Sequence, residues 1–344
     1  METIDLGKWS RLALYQEKLS DKAVRCHVCP HNCIVHEGKS GLCKTRINVE
    51  GNLYSIAYGN PCSISVDPIE KKPLFHFFPE SRIFSLATGG CNFRCLNCQN
   101  WNISQSSPQV FQSHDLPPES IVNQALLRDT NMIAFTYTEP TVFYEYMYDT
   151  AKIAHEAGLK TVIVSNGYIN QQPLLDLCPY LDAANIDLKC FDDTIYRKLT
   201  SGRLQPVLDT LKTLKDKRVW LEITNLLVPT FSDNPAMIQA MCTWLYENGF
   251  ADTPLHFSRF FPTYKLEHIA PTSEETLKLA KKIAENAGIR YVYIGNRPDL
   301  QEENTHCPNC NQLLVERSGF TVIKNLIHNN QCGYCGEQIA GVWE

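Results

Sequence analysis

The chain has 344 residues, 44% of them hydrophobic and 20% charged, which supports a sizeable core and excludes disorder as the dominant state. Net charge is −5 with no run of five like charges; the densest basic patch is Lys215-Asp216-Lys217-Arg218, so neither nucleic acid nor an anionic membrane is an expected partner. No stretch approaches the roughly 18 apolar residues of a membrane span, and Met1 to Leu12 carries Glu2, Asp5, Lys8 and Arg11 without an apolar h-region, so the expected location is cytoplasmic.

Cysteine is the outlier. Fifteen cysteines are about 4% of the chain, below the roughly 8–10% of disulfide scaffolds but high for a reducing compartment. Without a secretion signal, clustered thiols point to metal rather than to disulfides. All but Cys62, Cys178, Cys190 and Cys242 fall into three tight groups. At roughly 100–200 residues per domain, these groups divide the chain into an N-terminal Cys-rich module (1–75), a central domain (76–300) and a small C-terminal module (301–344).

The first group is Cys26-x2-Cys29-x3-Cys33-x9-Cys43. Its uneven spacing fits neither zinc fingers nor ferredoxins, and His27, His31 and His36 are nearby substitute ligands. A metal is expected, with zinc and iron–sulfur left open. Next, Ile83 to Ala87 reads as a strand closed by Thr88-Gly89-Gly90, followed at once by Cys91-x3-Cys95-x2-Cys98. Three soft thiolates on one loop suit an iron–sulfur cluster with one iron left open. A fourth ligand such as Cys62 would instead close the site.

Further strands are expected at Met132–Tyr137, Thr161–Val164, Ala184–Leu188, Val219–Val228, Leu255–Ser258 and Tyr291–Ile294. Helices are expected from Pro140 to Ala157, stopping at Gly158, and from Glu274 to Ala287, stopping at Gly288. Continuous apolar strands alternating with helices predict a parallel sheet, and six or more such units favour a partial (β/α)6-type TIM barrel, α/β in class. Chemistry then belongs at the C-terminal strand ends. Polar residues gather there: Cys91, Glu139, Asn166, and Asp187 to Lys189.

The third group, Cys307-x2-Cys310-x21-Cys332-x2-Cys335, reads as a zinc ribbon or, failing that, an auxiliary cluster site. A module this small needs such a staple.

C-x3-C-x2-C on the loop after the first strand of a (β/α) barrel resembles the signature of radical S-adenosylmethionine (SAM) enzymes. The resemblance implies that Cys91, Cys95 and Cys98 hold a [4Fe-4S] cluster whose open iron binds SAM. Reductive cleavage of SAM to a 5′-deoxyadenosyl radical would then abstract hydrogen from an unknown substrate, with the cofactor carrying the hard chemistry. Such an enzyme would be an oxidoreductase or lyase.

Thr138-Glu139-Pro140 resembles the family's G-G-E-P, with Thr138 where Gly is usual. Glu139 would receive the SAM amino group; its alternative role is a carboxylate at a helix start. Asn166 resembles the Asn of a strand-end T-N-G, against a plain Asn-Gly turn. Asp187-Leu188-Lys189 resembles the D-x-K that contacts the methionine moiety. Thr224, Asn225 and Arg259 are weaker candidates. Asn97 stands where an aromatic residue usually packs on the adenine, so Phe93 or Trp101 would have to cover it.

The layout most resembles the AmmeMemoRadiSam system radical SAM enzymes, related to pyruvate formate-lyase activating enzymes. The likeness rests on Cys26-His27-Val28-Cys29-Pro30-His31-Asn32-Cys33, Gly41-Leu42-Cys43, Asp67 to Leu74, Cys98-Gln99-Asn100-Trp101, Tyr137 to Thr141 and Ser258-Arg259-Phe260. It implies AmmeMemo-type partner proteins and a ferredoxin or flavodoxin as reductant. The rival within the class is a glycyl-radical-enzyme activating enzyme. Against it, Pro262-Thr263-Tyr264 lacks the His that ends the sixth strand there. A rival of another class is a non-catalytic metal-binding electron carrier or interaction protein, which needs no row of polar strand ends.

Overall fold

The computed structural model describes residues 6–297 and 301–344. Glu2 and Asp5 therefore lie outside the described residues. Eight strands make one sheet in sequential order: β1 (Ser63–Pro68), β2 (Arg82–Ala87), β3 (Met132–Phe135), β4 (Lys160–Ser165), β5 (Ala183–Asp187), β6 (Trp220–Leu227), β7 (Leu255–Arg259) and β8 (Val292–Gly295). Strands β2 to β8 are parallel, in registers such as Ser85 with Ala134, Ile163 with Ala184 and Ile186 with Ile223. β1 is antiparallel to β2. Among the described residues β1 and β8 each pair on one side only, so the sheet is a partial barrel.

The cause is visible in the strands. β3 reads Met-Ile-Ala-Phe and is buried at every position, as a strand covered on both faces must be. The connecting helices α1 (Pro118–Leu127), α2 (Tyr144–Glu156), α3 (Gln171–Leu177), α4 (Asp193–Thr200), α5 (Leu204–Asp216), α6 (Pro235–Glu247) and α7 (Glu274–Asn286) turn apolar faces inward. α5 buries Val207, Leu208, Leu211 and Leu214, at the spacing of one helical stripe. α2 and α7 stop at Gly158 and Gly288, both at positive φ.

One expected helix is divided. Pro140 to Phe143 form a 3-10 turn before α2 begins. The Glu139 side chain caps that turn by accepting the Thr141 N–H at 3.0 Å.

The N-terminal residues form two small antiparallel sheets, one ordering Arg11–Leu12, Asn52–Ser55 and Arg46–Val49, the other Gln16–Lys18, Val24–Cys26 and Ile34–Val35. A buried bidentate pair, Arg46 to Glu145 at 2.8 and 3.0 Å, ties the first sheet to α2. C-terminal hairpins pack through Leu314, Val315 and Trp343 against Phe75, Tyr291 and Tyr293. Among the described residues no helix is long and apolar enough to cross a membrane.

Candidate functional site

The C-terminal ends of the parallel strands open into a cavity of about 370 Å³. The loop after β2 supplies Cys91, Cys95 and Cys98 to its wall; β3 supplies Thr138 and Glu139, β4 Asn166, and β5 Asp187 and Lys189. Residues up to 98 positions apart in sequence therefore meet because parallel strands all end on one side.

The cysteine loop is held from several directions. The Phe93 N–H donates to Cys91 Sγ at 3.3 Å. Cys98 Sγ lies 3.2 Å from Ser104 Oγ. Arg94 N–H and Leu96 N–H donate to the carbonyls of Thr200 and Leu199 at the end of α4, at 2.8 and 2.9 Å. Gly202 makes room for Phe93, since a Cβ there would come within 2.3 Å of the ring. Burial pushes the Cys91 thiol well up, and the Glu139 carboxylate beside it pushes further. Burial also raises Cys95 to about 12, against the pull of Lys189. Thiolates at this site therefore need a cation to neutralise them.

Glu139 is 1% exposed. Its Oε1 accepts from Thr141 N–H at 3.0 Å, Thr141 Oγ1 at 2.7 Å and Ser165 Oγ at 2.8 Å, while Oε2 accepts only from Asn166 N–H at 2.8 Å. Burial raises its pKa and these bonds oppose the rise. Oε2 keeps acceptor capacity on the cavity side. Glu139 thus both caps a turn and lines the cavity. Lys189 reaches Asp187 at 2.8 Å. Burial opposes the Lys189 charge, but Asp187 and the Cys95 sulfur outweigh it and raise its pKa.

Other expected residues fare differently. The Asn166 side chain is spent on Asn92 Oδ1 at 2.8 Å and Tyr168 N–H at 2.9 Å, so its amide shapes the Asn-Gly turn while the residue lines the cavity. Thr138 Oγ1 donates to Thr88 O at 2.9 Å. Thr224 reaches the wall, but Asn225 and Arg259 do not; Arg259 donates to Thr272 O at 3.0 Å. Cys62 does not line the cavity, so it does not close the site with a fourth thiol. Trp101 is 48% exposed, stacks on Tyr264 and is absent from the wall, whereas buried Phe93 lines it. Asn97 is buried on the wall with an Oδ1 that has no partner.

Sequence reasoning missed Glu70, His256 and Glu303, which also line the cavity. His256 Nε2 lies 2.6 Å from Glu222 Oε2, and that pairing holds Glu222 low despite its burial. Burial pushes Glu303 up to about 7. Sequence reasoning named Tyr137 and Asp67 within family-like stretches but missed their contact: Tyr137, at φ +63°, donates its hydroxyl to Asp67. Asp67 in turn pairs with buried Lys72 at 2.6 Å. Such a left-handed backbone for a bulky residue is uncommon and concentrates at functional sites. The available signal was the charged run Asp67 to Lys72, which spans the end of β1 and the turn after it.

At the C-terminus, Cys307, Cys310, Cys332 and Cys335 bring their sulfurs within 4.8 Å of one another. Cys307 to Cys335 is 3.6 Å and Cys310 to Cys332 is 3.8 Å. The Glu337 N–H leads in lowering Cys335 to about 7. This set could hold a metal ion or a second cluster.

The model of the radical SAM superfamily matches residues 85–245. A Methanocaldococcus jannaschii protein, "Uncharacterized protein MJ0808", is 49% identical over 331 residues, covering 96% of this chain and 98% of that protein. The Escherichia coli pyruvate formate-lyase 1-activating enzyme is 23% identical over 220 residues, 59% of this chain and 89% of that enzyme. Among solved structures, TYW1 with a lysine-pyruvate adduct bound aligns at TM-score 0.46 and 22% identity, over 63% of this chain and 77% of that one.

Proposed function

We propose that the chain, whose residues 85–245 match the radical SAM superfamily, is a radical SAM enzyme and that the strand-end cavity is its cofactor and substrate site. Cys91, Cys95 and Cys98 would hold a [4Fe-4S] cluster, with SAM beside it. When bound, the pair supplies one-electron reductive cleavage of SAM and, through it, hydrogen abstraction from a substrate. The observation that carries this reading is the gathering of the three thiols with Glu139, Asp187 and Lys189 around one cavity.

The residues fit both groups. Three thiols without a fourth on the wall suit a cluster with one open position. The free acceptor capacity of Glu139 Oε2 suits an ammonium. The Lys189 ammonium, held cationic beside Asp187, suits a carboxylate. The unpartnered Asn97 Oδ1 suits an amino group such as that of adenine. Phe93 supplies an aromatic surface where the usual aromatic residue is replaced by Asn97. Protein groups already hold Glu139, Asn166, Thr138 and Lys189 in place, so this part of the site is organised before ligand arrives. Glu70, His256 and Glu303 form the side left for substrate.

The C-terminal set reads as structural zinc. A tetrahedral ion with Zn–S near 2.3 Å has S···S edges of about 3.8 Å, and the two closest pairs stand at 3.6 and 3.8 Å. The nature of the substrate reaction, oxidoreductase or lyase, follows from what binds beside Glu70, His256 and Glu303. We assign the chain to the AmmeMemoRadiSam group, with AmmeMemo-type companion proteins as partners, a low-potential ferredoxin or flavodoxin as reductant, and the cytoplasm as compartment. A glycyl-radical activating role is the second reading, supported by the match to the E. coli activating enzyme; it requires a glycyl radical signal on a partner protein.

The test is a spectroscopic titration. Anaerobically reconstituted protein is reduced with dithionite and SAM is added while electron paramagnetic resonance (EPR) is recorded. A SAM-dependent change of the cluster signal, absent from the Cys91→Ala, Cys95→Ala, Cys98→Ala triple variant, is expected. An unchanged signal at saturating SAM contradicts the proposal.

A further inference from the structure

The four N-terminal cysteines are not used by the function above. In the fold Cys26, Cys29, Cys33 and Cys43 all line one small internal cavity. They come from different pieces of the second small sheet and its loops, and Cys33 and Cys43 both border Gly41, whose Cβ position lies 3.9 Å from Cys43 Sγ and 4.0 Å from Cys33 Cβ. We propose that this cavity is a second iron–sulfur site, holding a [4Fe-4S] cluster on Cys26, Cys29, Cys33 and Cys43.

Three observations favour a cluster over a single ion. First, the spread of the thiols differs from that of the zinc-like set. Among the described residues, only the C-terminal four place three or more ligand atoms within 4.8 Å of one another. The N-terminal four share a cavity but spread more widely, as do the three thiols of the central loop. A cluster, being larger than an ion, holds its ligands further apart.

Second, the rest of the wall is largely apolar: Val28, Val35, Leu42 and Val142 line the cavity beside the four cysteines, a shell that keeps solvent from a bound cluster.

Third, charge is supplied. The buried Arg46 guanidinium lines the cavity and acts electrostatically on Cys26 and Cys43. Glu145 fixes it there with two bonds. Two of the nearby histidines have their Nε2 engaged elsewhere: His27 Nε2 is on Glu17 at 2.9 Å, and His31, which also lines the cavity, has Nε2 on Asn92 O at 2.8 Å.

The site abuts the central loop. Asn92, next to Cys91, lines the same cavity. Gly90, at φ +102°, leaves room for Cys43, whose carbonyl oxygen would lie 2.7 Å from a Cβ at that position. The two thiol sets are separated by little more than one layer of backbone.

The test uses the full chain, reconstituted anaerobically, with the central triple variant Cys91→Ala, Cys95→Ala, Cys98→Ala as the main sample. We expect that variant to retain about four irons and four acid-labile sulfides per chain and a dithionite-reduced EPR signal. Adding Cys26→Ser, Cys29→Ser, Cys33→Ser and Cys43→Ser should remove all iron and leave the C-terminal zinc. Cys33→Ser alone guards against misfolding, because it should lower iron while circular dichroism stays unchanged. In the parent, the adjacency predicts EPR signals broadened relative to those of either single-site variant. No iron in a folded central triple variant, one zinc in place of the iron, or iron that survives the N-terminal substitutions would each overturn the proposal. None of these readouts depends on SAM, so this inference can fail while the assignment of the central cavity stands.

Discussion

Replacing Glu139 by Gln keeps the shape of the side chain and removes its charge. The carboxylate accepts four bonds, three at Oε1 and one at Oε2. A Gln side chain offers one acceptor and one donor atom. With its oxygen on the Thr141 and Ser165 donors, its NH2 group faces the Asn166 N–H that stood 2.8 Å from Oε2. Bonds to a charged group contribute about 1.5–3 kcal/mol against about 1 for neutral ones, so three weakened bonds and one lost bond cost about 3–9 kcal/mol gross. Burial disfavours the parent carboxylate, as its raised pKa records, and relief of that penalty returns part of the cost. The expected net destabilisation is about 1–3 kcal/mol. Losing one charged contact to an ammonium weakens SAM binding by about 10- to 150-fold. Urea unfolding reads the first quantity and isothermal calorimetry on cluster-loaded protein the second. A folded, iron-replete Glu139→Gln variant that binds SAM within twofold of the parent would refute the reasoning and leave Glu139 a helix cap.

Three further outcomes are expected. Arg46→Met leaves Glu145 buried with its main cation gone, and urea unfolding should show a loss of about 3–5 kcal/mol; a loss under 1 would mean that the pair is not buried in solution. Glu303 has a folded pKa of about 7, above its ordinary 4.5, so its protonated form contributes stability that is full below about pH 4.5 and lost as pH rises through 7. The stability of the parent minus that of Glu303→Gln should accordingly fall by about 1–3 kcal/mol between pH 4.5 and 7.5, and a flat difference would contradict this. Cys332→Ser should cost one zinc per chain by elemental analysis and expose the C-terminal hairpins to proteolysis, while central iron is unchanged; retained zinc would argue against the assigned ligand set.

The barrel was largely legible because its strands are continuous apolar runs. Met132 to Phe135 and Lys160 to Ser165 stand within a residue or two of where their patterns place them, and Gly158 and Gly288 end helices as their positions suggest. β1 was harder: Ser-Ile-Ser-Val-Asp-Pro is an edge strand, partly exposed and ending in Pro. The four-residue shift at the start of α2 came from Glu139, whose side chain caps a turn that periodicity alone does not register. At the site, the cysteine loop was readable because its ligands are local. The pairing of His256 with Glu222 was not, because 34 residues of chain separate them and only the register of β6 with β7 brings them together. Trp101 shows the reverse error: its type suited an adenine cover, but the short helix that carries it turns the ring out onto Tyr264.

The most direct measurement counts a product. Anaerobically reconstituted protein is incubated with SAM and dithionite, and 5′-deoxyadenosine is quantified beside the Cys91→Ala, Cys95→Ala, Cys98→Ala variant. The nucleoside should form with the parent and stay at background with the variant. Equal amounts from both, or none from a parent that binds both iron and SAM, would contradict the central claim that this strand-end cavity cleaves SAM.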